Sequence, residues 1–398
     1  MPEDRSVARF NPDRARPATA HRTVGYPGTA RRLARHCFRI LLSLALLGAG
    51  QALLEPEPGE AQSVRGSVVD GEMGQPVTGA VLRLLDEDGE ERARAMSRGD
   101  GTFALEGPEE GRYRLEGERM GYLSALGDPF RLERGDVVHQ EIELSPNPVD
   151  LAGIEVEGDQ RCQVRPEDGE AAARLWEEAR MALTATEVTE EEDLHRFEVV
   201  RWRRELDSSA TRVEEESREA RRYLSANPLR SAPAEELEAD GYIQPQPDGS
   251  HVYYAPDAET LLSDAFLDTH CFTVEEGAGD EEGLLGLSFQ PVEDRGVPGV
   301  KGVLWIDPTS SQLRHMEADY TNYPYDVATG ELGARVEFQR LPTGAWFVDR
   351  WWIRMPRVGL ERSDFRGQRI ERLRLLGISE VGGEARLAQE EEGDAAGR

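Results

Sequence analysis

Lysine is almost absent from this chain: Lys301 stands alone, and arginine supplies the rest of the 47 basic residues, against 77 acidic ones and a formal net charge of −30. The deficit of positive charge is uneven. Residues 1–62 hold nine Arg and six Asp or Glu, a net of +3, so the remainder carries −33. A body that acidic repels phosphate backbones and has no local basic patch, which argues against nucleic acid as a partner. No G-x-S-x-G elbow, phosphate loop or Rossmann fingerprint occurs, so the common signatures of hydrolase, nucleotide and dinucleotide chemistry are missing. Cysteine is scarce, with Cys37, Cys162 and Cys271 only. There is also no uninterrupted apolar run of the roughly twenty residues that a membrane helix needs.

The longest apolar segment reads instead as part of a leader. Arg31, Arg32, Arg35 and Arg39 precede the stretch Ile40 to Leu54, and Gly59-Glu60-Ala61 supplies a small-residue exit, so residues 31–61 are predicted to be a signal peptide. Residues 1–30 then form a disordered extension or a mis-assigned start. Export to the periplasm, or to association with the outer membrane, is the expected localisation; no lipobox cysteine supports a lipid anchor. Cys37 would leave with the leader, and the remaining pair, Cys162 and Cys271, is predicted to form a disulfide bond in an oxidising compartment. Its long loop gives on the order of 4 kcal/mol in the chain-entropy account. Two buried thiols are the plainer alternative.

At 38% hydrophobic and 31% charged residues, the chain is long enough for two globular domains, with a mainly β fold. Residues 63–147 read as short strands at spacings of about ten residues, punctuated by glycine turns, hence a small β-sandwich. The motifs are specific: Gly66, Val68 and Asp70 in G-x-V-x-D, Pro76 to Ala80 in P-V-x-G-A, Asp100 to Leu105 in D-G-x-F-x-L, Gly111 to Leu115 in G-x-Y-x-L, then Gly121-Tyr122. This pattern resembles the carboxypeptidase regulatory-like domain, which is similar in fold to transthyretin. The resemblance implies a non-catalytic module with a carbohydrate-binding-like fold, in a surface or periplasmic setting.

Residues 148–168 read as a linker. A larger α+β domain is then expected over residues 169–380, an antiparallel sheet with a packing helix, followed by a disordered acidic tail at 381–398. Gly169 to Thr184 carries Ala172, Leu175, Trp176, Ala179 and Leu183 on one stripe and Glu170, Arg174 and Glu178 on the other. Leu194 to Leu206 and Thr211 to Tyr223 read as a long hairpin around Asp207-Ser208-Ser209, with a helix over Glu214 to Arg222 as the alternative. A meander follows, and its densest strand runs from Trp346 to Pro356. At a period of two, Trp346, Val348 and Trp352 fall on one side and Phe347, Trp351, Ile353 and Met355 on the other, so both faces are apolar and the strand is expected to be covered on both. A helix followed by such a meander is similar to the LolA and RseB half-barrels, which hold apolar ligands in their concave face; ordinary core on both faces is the alternative.

Three clusters invite chemistry. His195-Arg196-Phe197-Glu198 matches the H-x-x-E of zinc carboxypeptidases, with His315 further on. On a strand, however, positions three apart face opposite sides and cannot share an ion, so no metal site is predicted. His270-Cys271 suggests a nucleophile and base, but sequence neighbours on an extended segment point apart. Trp346, Arg350, Trp352 and Arg354, with Tyr253 and Tyr254, remain as candidate ligand-binding residues, the arginines suited to an anionic group. The expectation is therefore a non-catalytic envelope protein that binds a partner protein or an apolar ligand, without cofactor. A zinc-dependent carboxypeptidase-like hydrolase and a carbohydrate-binding surface module are the alternatives.

Overall fold

A computed structural model of the chain describes residues 8–10, 62–146, 163–164, 170–191, 195–223, 229–247, 250–292, 296–324, 332–365 and 368–388. The predicted leader and Cys162 lie outside these. Strand β1 (Ala8–Phe10) pairs antiparallel with His251–Tyr253, so the first thirty residues are not wholly the disordered extension expected from the sequence.

The sandwich forms from β2 (Ser63–Asp70), β3 (Val81–Leu85), β4 (Glu91–Met96), β5 (Thr102–Glu106), β6 (Gly111–Glu118), β7 (Ala125–Leu126), β8 (Phe130–Leu132) and β9 (Val137–Leu144). One sheet has the order β5-β2-β9, with β2 and β9 parallel; the other has the order β4-β3-β6-β7, with β8 also pairing β6. Phe103, Leu105, Tyr113 and Leu115 alternate into a core shared with Val64, Val68, Leu82 and Leu84. Each such side chain contributes roughly 1.5–3 kcal/mol by leaving water. The motif residues have structural duties. Asp70 accepts from the Glu72 and Met73 amides and from the Tyr122 hydroxyl at 2.8–3.0 Å, which holds its carboxyl below the usual range, chiefly through the Met73 N–H. Gly66 is required because a Cβ there would lie 1.7 Å from the Gln140 carbonyl oxygen on the neighbouring strand.

The larger domain is one ten-stranded sheet. Its elements are β10 (Gln163–Val164), α1 (Glu170–Glu191), the hairpin β11 (Phe197–Leu206) and β12 (Val213–Tyr223), α2 (Ala234–Asp240), β13 (Ile243–Pro245), β14 (His251–Tyr253), α3 (Ala258–Leu262) and α4 (Asp264–Thr269). The meander follows as β15 (His270–Glu276), β16 (Leu285–Pro291), β17 (Val300–Asp307), β18 (Gln312–Tyr320), β19 (Gly333–Arg340), β20 (Trp346–Phe365) and β21 (Gln368–Leu387). The sheet order is β10-β15-β16-β17-β18-β19-β20-β21-β11-β12, while β1, β14 and β13 make a separate small sheet. Since β10 pairs with β15, the predicted linker already contributes an edge strand.

Helix α1 lies across one face of this sheet. Leu175, Trp176, Ala179 and Leu183 pack there against Leu287, Leu304, Met316, Val336, Trp351 and Ile353, which the ladder registers place on one side of adjacent strands. Two expectations fail. The acidic tail was expected to be disordered from residue 381, but Val381 to Leu387 pairs with β11 and its first residues also with β20. Glycines 382 and 383 suggested disorder. They are instead spaces for indole rings: a Cβ on Gly382 would lie 2.6 Å from the Trp202 ring, and one on Gly383 2.8 Å from Trp351 Nε1. The second failure concerns phase. Glu337 pairs with Arg350 but Phe338 pairs with Val348, so Asp349 is an unpaired bulge residue that reverses the alternation. Trp346 and Val348 therefore join Trp351, Ile353 and Met355 in the helix-side core, while Trp352 falls opposite them.

The two domains are docked. Val81 and Met96 of the sandwich belong to the core around α1. Arg94 pairs with Glu187 at 3.2 Å, and Arg180 with Glu118 at 3.1 Å. Gly79 and Gly344, both at positive φ, meet so closely that a Cβ on Gly79 would lie 2.5 Å from the Gly344 Cα.

Candidate functional site

The sheet face opposite α1 is polar and carries an open cleft of about 670 Å³. Strand alternation builds it. Thr273 on β15, Ser288 and Gln290 on β16, Lys301 and Val303 on β17, Glu317 and Asp319 on β18, and Trp352 and Arg354 on β20 line it. Thr273 and Ser288 share a hydroxyl hydrogen bond of 2.7 Å. Burial raises the Asp319 carboxyl above its usual value, against the opposing effects of the Tyr320 amide and Lys301. The cleft thus offers hydroxyls, an amide, both signs of charge and one half-buried indole.

Arg354 is the anchor of its wall. Its guanidinium stacks 4.3 Å from the centre of the Trp352 ring, and its Nε donates to Glu380 Oε2 at 2.9 Å. Glu380 is 2% exposed and accepts two more bonds, from Trp202 Nε1 at 3.0 Å and Arg204 Nη1 at 3.1 Å. Three donors from two neighbouring strands compensate the desolvation of one carboxylate. This hub fixes the Arg354 fork, and so the indole beneath it.

A second charged cluster borders the cleft. His315 on β18 is 5% exposed, and its Nε2 lies 3.1 Å from Glu281 Oε1, which the 3₁₀ turn Gly279–Glu281 brings over the sheet. Arg335 on β19 contacts Glu281 at 3.3 Å, Glu337 at 3.2 Å and also Glu317. Burial, seconded by Arg335, pushes the imidazole down to about 4, so it is neutral at pH 7.

Of the residues proposed from the sequence, Trp352 and Arg354 reach the cleft. Arg350 is exposed and pairs with Glu384 at 3.4 Å. Trp346 does not bind outward: it is 3% exposed in the helix-side core, and its amide donates to Thr189 Oγ1 of α1 at 3.2 Å. Tyr253 is fully buried, edge-on to Tyr320 with ring centres 5.5 Å apart, and Tyr254 packs on the same core. The burial of Trp346 and Tyr253 places them in the core and away from the cleft they were expected to line, and Tyr254, only partly buried, packs on that core. His195 lies against Thr343 at 3.4 Å, and Glu198 is exposed on β11. Among the described residues the one group of potential metal ligands is Glu281, His315 and Glu317, so the H-x-x-E does not converge with His315. His270 has its Nδ1 3.0 Å from the Phe266 carbonyl oxygen and its Nε2 3.2 Å from that of Val300. Both nitrogens face backbone carbonyl oxygens, so this imidazole is not placed to act as the base for Cys271.

Sequence reasoning missed Glu380, Trp202, Glu281 and Arg335. The alternation His315, Glu317, Asp319 was readable in β18. The contribution of Glu281 was not, because it arrives from a turn that crosses the sheet.

The fold is thus a transthyretin-like β-sandwich docked on a helix-backed antiparallel sheet. Residues 63–145 match the family model of the carboxypeptidase regulatory-like domain. Among solved structures, the 5-hydroxyisourate hydrolase of Klebsiella pneumoniae is 22% identical, over 21% of this chain and 91% of its own, with a TM-score of 0.18. A Bacteroides uniformis protein proposed to bind carbohydrate is 15% identical over 22% of this chain and 43% of its own, with a TM-score of 0.19. The major pilin subunit of Bacillus cereus aligns over 80% of this chain and 84% of its own at 11% identity, TM-score 0.18. These scores carry no argument about activity. No curated protein matches the chain in sequence. Among the described residues, no helix is long and apolar enough to cross a membrane.

Proposed function

We propose that this chain is a non-catalytic binding protein of the cell envelope, whose open sheet face receives a segment of a partner protein. The observation that carries this reading is the contrast within one sheet: the α1 side is sealed apolar core, while the other side holds an open cleft with the indole of Trp352 braced by Arg354 and Glu380. Lys301 and Arg354 beside Glu317 and Asp319 suit a segment with both signs of charge and one large apolar side chain. The polar lining favours such a partner over the wholly apolar ligand of a half-barrel carrier. The regulatory-like sandwich supports an accessory role; in that family the module is non-catalytic.

Export through the leader at 31–61 and a Cys162–Cys271 disulfide belong to the same reading. Val164, two residues after Cys162 in the sequence, pairs with Cys271, which supports the bond. Titration of the oxidised protein should then give no reactive thiol from these two residues.

The binding test places a photo-crosslinking residue at Ser288 in full-length chain. The expected result is one defined protein adduct, lost when Trp352→Ala and Glu317→Arg are added. Adducts that persist in those variants, or lipid that co-purifies in stoichiometric amount, would overturn the proposal.

A further inference from the structure

We propose that Glu281, His315 and Glu317 form a binding site for one divalent transition-metal ion at the rim of the open sheet face. The three come from different elements: Glu281 from the turn between β15 and β16, and His315 and Glu317 from alternate positions of β18. One donor atom from each lies within 4.8 Å of the others. Side chains that hold a zinc-sized ion at about 2.0–2.2 Å place their donor atoms roughly 3–3.5 Å apart. His315 Nε2 and Glu281 Oε1, at 3.1 Å, already have that spacing.

The second observation is the state of the imidazole. His315 is 5% exposed, and its Nε2 is buried without a partner in hydrogen-bonding geometry, despite the nearby Glu281 oxygen. A buried ring nitrogen left in this condition costs free energy, and an ion supplies what is missing. The nitrogen lies beside the Glu281 carboxylate, and the half-exposed carboxylate of Glu317 completes the cluster.

One imidazole with two carboxylates selects zinc, cobalt or nickel over calcium and magnesium, which take all-oxygen sets. Three protein donors leave at least one position open, and Glu317 lines the cleft, so that position is reached from the binding face. Arg335 now fills the role of counter-ion, touching Glu281 and Glu317. Its Nε also rests 3.2 Å from Glu337, which gives the guanidinium a carboxylate to keep when an ion takes its place. The site is independent of what occupies the cleft and stands if the partner reading fails.

The test uses the full, tag-free chain after chelation, dialysed against zinc alone and then cobalt alone. One ion per chain is expected, with a cobalt visible spectrum that shifts from the aqueous one, and an excess of calcium should not displace it. His315→Ala should weaken binding by more than the roughly 10–100-fold that loss of an outer-shell partner costs. Glu317→Gln, at a half-exposed position that folding tolerates, should weaken it too, whereas Arg335→Met should tighten it by removing the competing cation. Either no stoichiometric ion, or an ion held equally well by His315→Ala on the strength of the chain's acidic surface, would overturn the proposal. Weakening by Arg335→Met would also overturn it.

Discussion

The two faces of the ten-stranded sheet are made by the same strands, in alternation, yet they do opposite things. On β18, Met316 and Ala318 sink into the core beneath α1, while His315 and Glu317 stand among charges on the other side. On β20, Trp351 is 1% exposed against the helix, and the next residue, Trp352, is half-buried under Arg354 in the cleft. Identical side chains one position apart therefore serve different ends. What separates them is the element packed above: a helix excludes water from one face, and among the described residues no helix covers the other. The apolar core of the domain lies on the covered side, and the polar cleft on the bare side.

The sharpest way to break this contrast is to truncate both indoles. Trp351→Ala should cost about 3–5 kcal/mol, because a large ring leaves a void that α1 cannot fill. Denaturant midpoints measure this; a loss below about 1 kcal/mol would show that the covered face is not the core. Glu380→Ala comes next. It strands Trp202, Arg204 and Arg354 without their common acceptor, and breaking a buried ion pair on one side costs about 3 kcal/mol or more. The same variant should remove the Glu380 brace from Arg354 and abolish capture by the cleft.

Glu178 of α1 tests the covered side by pH. It is 1% exposed, and burial, then the neighbouring Glu177, push it up to about 7 against the Gly121 amide, which lowers it. Its folded value exceeds its unfolded one, so the folded state holds the proton more tightly. Stability should fall as pH rises from about 4.5 to 7 and then level off. Glu178→Gln should remove this slope and raise stability at pH 8 by on the order of 2–3 kcal/mol. Thermal melts between pH 5 and 8 would show it, and parallel profiles for the two proteins would refute it. The smallest effect is expected for Trp352→Ala on the bare face, within about 1 kcal/mol in stability. Its loss should appear in binding instead.

The sandwich and the sheet were unequally legible. In residues 63–145, most motifs had a local cause, such as the Asp-Gly turns and an Asp that binds its own turn, whereas Gly66 answers to a distant strand. Local causes are visible in sequence, so both the fold and the family resemblance could be read. In the sheet, the helix stripe, the hairpin and the meander were equally plain. The phase of the Trp346 strand was not, because one bulge residue, Asp349, reverses which side chains share a face. Nor was the last strand, whose glycines read as a tail until the indoles of Trp202 and Trp351 were placed over them.

By itself, then, the sequence determined the two-domain order, the first domain's family and the period of each strand, since these depend on residues near one another in the chain. Which face is open, that Glu380 gathers donors from β11 and β20, and that Glu281 crosses the sheet to meet His315 were decided only in three dimensions. Such contacts join positions far apart in the chain. Their geometry is set by strand register and by what packs above the sheet, and neither leaves a local signal.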